Sequence, residues 1–377
     1  MKTPRFAIVS LAFAALIAHP LHATNKPNML LIVADDMGYS DLGCFGGEIK
    51  TPNIDALAQR GVRASNFYVA PTCSPTRSML LTGCDHHVAG FGNMEEFLGP
   101  KQKGQPGYEG HLNERVVPIG KVLKDAGYHT YWAGKSHMGY TPSQWPAAMG
   151  FERDFTLLQG GGSNWSDMKY VNPAHPTLNF TLNGKPLDKL PDDHFSSKAY
   201  SDFIIQCIDE HKGDGKPFFA YLSFQAVHSP LSAPDDWLDK YKGVYDKGYD
   251  ALRAERLARM KELGIVSKET ALAPRRPNIP AWEKLSPDER KLSARKMEVY
   301  AAMLANMDFH IGRVLEQLKA SGQLDNTLVV FLSDNGAEPA DLDTLISTAF
   351  SPEAKKWFDA NFDRRPENWG RKGSAVD

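Results

Sequence analysis

A chain of 377 residues, 42% hydrophobic and 23% charged, has the length and apolar content for one large α/β domain or two to three average ones. Its formal net charge of −2 provides no strongly basic surface and argues against nucleic acid as a main partner. Four cysteines, Cys44, Cys73, Cys84 and Cys207, are too few for a disulfide scaffold, and the sequence leaves a Cys44–Cys84 pair open.

In chain order, residues 1–23 have the pattern of a secretory signal peptide. Lys2 and Arg5 give a positive start, residues 6–18 are almost wholly apolar, and Leu21-His22-Ala23 ends in a small residue. The apolar run is short for a membrane span, an uncleaved anchor being the alternative. Cleavage would leave residues 24–377 as the mature chain, secreted or, in a Gram-negative source, periplasmic. Asn164-Trp165-Ser166 and Asn179-Phe180-Thr181 match glycosylation sequons, which in a bacterial product are chance matches.

Residues 28–34 form a continuous apolar run and predict a buried strand that ends in Asp35-Asp36. Residues 51–58 predict a helix that stops at Gly61, and residues 62–69 predict the next strand. Pro75 can open a helix, which puts Cys73 at its N-terminus, where free N–H groups favour negative charge. Arg77 would lie one turn along, near enough to hold an anionic group or the charge of the cysteine. Residues 84–116, rich in Gly and His, predict a loop near a site.

Residues 117–126 predict a helix ended by Gly127, and residues 128–134 a strand leading into Lys135. Residues 196–211 predict a helix and residues 217–224 a strand just before His228. Residues 229–291 form a Pro- and charge-rich insertion, whose basic helical stretch at 249–263 reads as a solvated face. A long helix over 292–318 closes near Gly322, and a strand over 327–333 runs into Asp334-Asn335-Gly336. This alternation predicts an α/β fold, a mostly parallel central sheet with helices on both faces.

Four polar groups thus fall at strand ends: Asp35-Asp36, Lys135 with His137, His228, and Asp334-Asn335. Parallel strands bring their C-terminal ends to one face, so these groups meet in space. Asp35, Asp36, Asp334 and Asn335 offer only oxygen ligands, which suits Ca²⁺ or Mg²⁺ rather than zinc. Each dipeptide alone is an ordinary turn or cap, and Cys73 alone an ordinary buried cysteine.

The run Cys73-Ser74-Pro75-Thr76-Arg77, followed by Thr82-Gly83, resembles the signature of the type I sulfatases, within the alkaline-phosphatase-like superfamily. Its companions stand in the family's order: Asp35-Asp36, Lys135-Ser136-His137, His228 and Asp334-Asn335-Gly336. The resemblance runs from about residue 27 to the C-terminus and is closest to bacterial arylsulfatases. It implies that a separate maturation enzyme oxidises Cys73 to formylglycine. It also implies that Asp35, Asp36, Asp334, Asn335 and the modified residue 73 bind one metal ion, usually calcium.

The implied activity is hydrolysis of small-molecule sulfate esters of the arylsulfate type, with no membrane partner after signal cleavage. The aldehyde hydrate would attack sulfur to form a covalent sulfo-enzyme, with Arg77 and Lys135 offsetting negative charge. His228 would protonate the leaving group and His137 would take a proton as sulfate leaves. His86 and His87 could line the pocket, and Tyr39 and Glu338 neighbour the ligands. The family continues past Gly336 with a second active-site lysine and a smaller C-terminal subdomain; this chain is expected to be truncated by comparison, and Lys372 stands in the wrong context for that lysine. Two alternatives stay open: a phosphonate or phosphate monoester hydrolase on the same scaffold, or an inactive truncated relative. Specificity would reside in residues 84–116, 139–195 and 229–291.

Overall fold

The strands are placed by where apolar side chains can be covered on both sides. The computed structural model describes residues 26–338 and 352–376, so the expected signal peptide lies outside the described residues. Among these, seven strands form one sheet: β1 (Asn28–Ala34), β2 (His129–Lys135), β3 (Arg153–Leu157), β4 (Phe180–Leu182), β5 (Lys185–Leu187), β6 (Phe218–Ser223) and β7 (Thr327–Ser333). Their order is β5-β4-β3-β2-β6-β1-β7. β3, β2, β6, β1 and β7 run parallel to their neighbours in that series, while β4 and β5 are antiparallel additions.

Side chains alternate across the sheet with the period of two that a strand imposes. Leu30 and Ile32 of β1, Tyr131 and Ala133 of β2, and Ala220 and Leu222 of β6 join one buried cluster. Val33, Trp132, Phe219 and Tyr221 join another on the opposite face. The helices that cover the sheet follow in order. They are α1 (Pro52–Arg60), α2 (Cys73–Thr82), α3 (His86–Ala89), α4 (Ile119–Asp125), α5 (Ser196–His211), α6 (Asp235–Leu238), α7 (Gly248–Glu262), α8 (Pro287–Ala320) and α9 (Pro352–Asn361). Ile204 of α5 with Leu304 and Ile311 of α8 fill the first cluster, and Leu81 of α2 enters the second. No helix among the described residues is long and apolar enough to cross a membrane.

Several sequence expectations need correction. Residues 62–69 form no strand: Val62 and Tyr68 are 94% and 85% exposed, and both edges of β1 are already paired, to β6 and β7. β3, β4 and β5 were not expected, although Asn183-Gly184 is a hairpin signal; both residues have positive φ, 50° and 73°, as a two-residue turn between β4 and β5 requires. α8 begins five residues before the predicted 292, because Ser286 and Glu289 form a reciprocal capping box around Pro287. All four cysteines are free, so Cys44 and Cys84 are unpaired. Asn164 of the first sequon is buried and donates to Pro230 O and Ser232 Oγ.

The basic helix α7 is more than a solvated face. Arg256 Nε and Nη2 donate to Glu48 at 2.7 and 2.8 Å, Arg256 Nη1 pairs with Asp41, and Arg259 Nε donates to Gly46 O at 2.6 Å. The insertion therefore grips the segment that follows β1.

His194 shows what this core demands of a polar ring. It is 4% exposed, packs against Phe155, Phe180 and Tyr200, and its Nε2 has no hydrogen-bond partner. Burial pushes its pKa from the ordinary 6.5 down to about 4. The folded value lies below the unfolded one, so the neutral ring contributes stability above pH 6.5 that is lost as pH falls towards 4. Urea unfolding midpoints are therefore expected to fall across that interval, and His194→Phe to flatten the fall by up to about 3 kcal/mol. An unchanged slope in the variant would contradict this reading.

Candidate active site

Past the last paired residues of β1, β6 and β7, the chain keeps its register for one more step. Asp334 N donates to Ala34 O at 3.1 Å and Asp35 N to Ala226 O at 2.9 Å. Asp35, Asp36, Lys135, His228, Asp334 and Asn335 are delivered to one end of the sheet as a result. Asp36 leaves β1 in the left-handed region, φ 58°, a conformation that costs free energy for a residue with a Cβ.

Cys73 is the first residue of α2, with extended Thr72 before it and left-handed Gly83 ending the helix. Its sulfur is 3.6 Å from Asp35 Oδ1 and 3.9 Å from Asp36 Oδ1. Arg77 lies one turn along, wholly buried. Its Nε and Nη2 reach Asp334 Oδ2 at 2.9 and 2.8 Å, and Nη2 is 3.4 Å from Asp35 Oδ1. Its Nη1 donates to Ser223 Oγ and to Lys135 O. Lys135 Nζ is 2.7 Å from both oxygens of Asp35. The arginine therefore serves two carboxylates rather than the cysteine's own charge.

The charges do not balance. Asp35, Asp36 and Asp334 bring three negative groups against the two positive groups of Arg77 and Lys135, all at 3% exposure or less. The carboxylates divide the burden unequally. Burial pushes Asp35 up to about 7, with Lys135 only partly opposing. Burial also acts to raise Asp334, but Arg77 and Lys135 outweigh it and hold it at about 2. For Lys135, burial favours the neutral amine, yet Asp35 outweighs it and raises the pKa.

With all three carboxylates ionised the cage would carry one excess negative charge, a setting that favours a bound cation over a proton on Asp35. The ligating atoms of Asp35, Asp36, Cys73 and Asp334 lie within 4.8 Å of one another. Asp36 Oδ2 and Asn335 Oδ1 are buried acceptors without a hydrogen-bond partner, while Asn335 Nδ2 is engaged by Asp36 Oδ1. Orphaned oxygens in a cage of excess negative charge fit a hard divalent ion.

Two histidines flank the cage. His228 Nδ1 is 2.5 Å from Ser229 O, and its Nε2 is 3.5 Å from Asp36 Oδ2. Burial acts to lower its pKa, but Asp36 and Asp35 outweigh it and the net shift is upward. His137, with φ 54°, follows Lys135 by two residues, and its Nε2 is 2.7 Å from Glu96 Oε1. A glycine pair fits beneath both rings. A Cβ on Gly160 would lie 2.5 Å from His137 Cε1, and one on Gly161 2.8 Å from His228 Cε1.

The structure thus gathers Cys73, Arg77, Lys135, Asp35, Asp36, Asp334, Asn335 and His228, with His137 beside them. His86 Nδ1 is instead tied to Phe91 O, and His87 Nε2 meets the Tyr108 hydroxyl. Tyr39 is half exposed and donates to Ser65 O, and Glu338 is exposed. Lys372 donates to Ser166 Oγ at an exposed position. Sequence reasoning missed Glu96, Ser223 and the glycines. The triple glycine at 160–162 was a usable signal for close backbone approach; Glu96, beside Glu95 in a polar loop, was not distinguishable from a solvated charge.

Comparison with known proteins places the chain among relatives. The Sulfatase family model matches residues 27–367. An uncharacterized sulfatase from Schizosaccharomyces pombe is 44% identical over 363 residues, 94% of this chain and 64% of that protein. The arylsulfatase of Klebsiella aerogenes is 43% identical over 370 residues, 97% of this chain and 77% of that one. The crystal structure of Ps i-CgsB in complex with k-i-k-neocarrahexaose is 28% identical with a TM-score of 0.60, over 83% of this chain and 59% of that one. The chain therefore spans just under two thirds of the length of the Schizosaccharomyces relative. The chain belongs to the sulfatase family.

Proposed function

We propose that the protein hydrolyses sulfate esters, with aryl sulfates as test substrates. The observation that carries this is the setting of Cys73: a sulfur at a buried helix start, within 4 Å of two carboxylates, beside a cage built around two buried cations. As a thiol, Cys73 would be a poor nucleophile. Burial raises its pKa well above the ordinary value, and the surrounding carboxylates add to that despite Lys135. Conversion of Cys73 to formylglycine by a maturation enzyme removes that difficulty, since a hydrated aldehyde supplies an oxygen nucleophile and a built-in route for expelling sulfate.

Asp35, Asp36, Asp334 and Asn335, with residue 73, would hold calcium, magnesium being the alternative. The ion would supply Lewis-acid stabilisation of the sulfuryl oxygens. With it, three carboxylates, two cations and a divalent ion sum to +1 instead of −1, so an anionic ester meets a site of opposite sign. Lys135 and Arg77 fix the carboxylates and supply part of that charge. His228, anchored through Nδ1 on Ser229 O, can present a proton on Nε2 to a leaving oxygen. His137 takes the role of proton acceptor. The pattern at residues 1–23 supports a periplasmic or secreted location, and the net charge of −2 supports a small-molecule rather than nucleic-acid partner.

Two outcomes are expected. After coexpression with a formylglycine-generating enzyme, the tryptic peptide containing residue 73 should carry an aldehyde, and the protein should turn over an aryl sulfate faster than the matching aryl phosphate. An unmodified thiol in fully active protein, or preference for the phosphate, would contradict the proposal. Second, Arg77→Met should lower unfolding free energy by about 3–5 kcal/mol in urea titrations, because it leaves Asp334 buried and unpaired. Adding Asp334→Asn to that variant should recover part of the loss.

A further inference from the structure

His137 is the one ring of the site whose two nitrogens are in sharply different surroundings. Nε2 faces Glu96 Oε1 at 2.7 Å. Nδ1 is buried and has no hydrogen-bond partner. The ring edge between them lies on bare backbone, since a Cβ on Gly160 would come within 2.5 Å of Cε1, 2.9 Å of Nδ1 and 3.0 Å of Nε2. An ionised carboxylate can only accept, so Nε2 carries the hydrogen. A second hydrogen on Nδ1 would be buried without an acceptor, so the resting ring is neutral.

Glu96 is held in its acceptor state. Burial acts to raise its pKa, but the hydrogen bond with His137 Nε2, its own backbone N–H and the Lys135 charge act to lower it, so the carboxyl stays ionised beside a neutral ring. Tyr140 and Tyr170 also feel its charge, and both phenols are pushed up, by burial first and then by Glu96. The residue comes from a short helical turn, Glu95–Phe97, in the loop between α3 and α4. Nothing in the sheet supplies it.

We propose that Glu96 is the positioning residue of this site: it holds His137 as the Nε2–H tautomer and leaves the Nδ1 lone pair as the only proton acceptor of the ring. This rests on the reading of His137 as proton acceptor given above. The logic is that of a carboxylate orienting a catalytic histidine, where loss of the carboxylate allows the wrong tautomer and rate is lost although the ring remains.

The test reads the tautomer directly. In long-range ¹H–¹⁵N spectra of the histidine-labelled full chain, the His137 signals are assigned among the twelve histidines by their loss in His137→Gln. The wild-type ring should show a protonated Nε2 and an unprotonated Nδ1. Glu96→Gln, whose amide can donate as well as accept, should shift the ring to a mixture of tautomers. On an aryl sulfate, its kcat should fall roughly 10²–10³-fold with KM changed by less than about threefold, and Glu96→Asp should recover part of both signals. A wild-type ring protonated on Nδ1, a tautomer unmoved by Glu96→Gln, or a changed tautomer with unchanged kcat would each overturn the proposal. If wild type lacks turnover but shows the Nε2–H ring and its loss in Glu96→Gln, the tautomer assignment stands and the sulfatase reading fails.

Discussion

Everything at this site depends on a buried ion cluster: Arg77 bridging Asp334 and Asp35, with Lys135 on the other side of Asp35. Burying five charged groups, Asp36 included, is expensive, and such groups persist only with close pairing. The pairing is available because three parallel strands, β1, β2 and β7, end together and a helix starts opposite them. β6 contributes Ser223, whose hydroxyl accepts from Arg77. Each contact crosses a long stretch of sequence, so the cluster can exist only in the assembled sheet. The same cage that ties the fold together is left one negative charge over. That excess makes the ion cluster a candidate cation site.

The region around the cage is built to keep those groups still. Beyond Asp36, the chain is held by Gly38 N donating to Asp41 Oδ2, Tyr300 OH donating to the same oxygen, and Arg256 binding both Asp41 and Glu48. The 229–291 insertion thus reaches the segment that follows β1 through α7, and α8 reaches it through Tyr300. Left-handed φ values at Asp36 and His137 are local costs accepted where side chains must be aimed. Glycines 160 and 161 permit two imidazoles to approach the backbone more closely than any larger residue would allow.

Much of this was legible from sequence, for physical reasons. Buried parallel strands are continuous apolar runs, so β1, β6 and β7 stood out, and the polar residues that follow each run marked the site. α5 was placed at its observed ends because its apolar spacing and its flanks agreed. What failed was decided by tertiary context. Residues 62–69 have the composition of a strand, but both edges of β1 were already taken by β6 and β7. β3 to β5 are short, and only Asn183-Gly184 announced their hairpin. Arg77 was recognised, but its partners were not, because a residue's nearest charges in space are set by strand register. Glu96 was invisible for the same reason.

The cage around Cys73, with its three carboxylates ionised, is one cation short of neutrality. Calorimetric titration of the folded chain with calcium tests it most directly. The account predicts about one ion bound per chain, with binding abolished in Asp36→Asn, which removes the charge behind the orphaned Oδ2. Absence of calcium uptake up to roughly millimolar concentration, in protein that unfolds cooperatively and retains its native core, would contradict it.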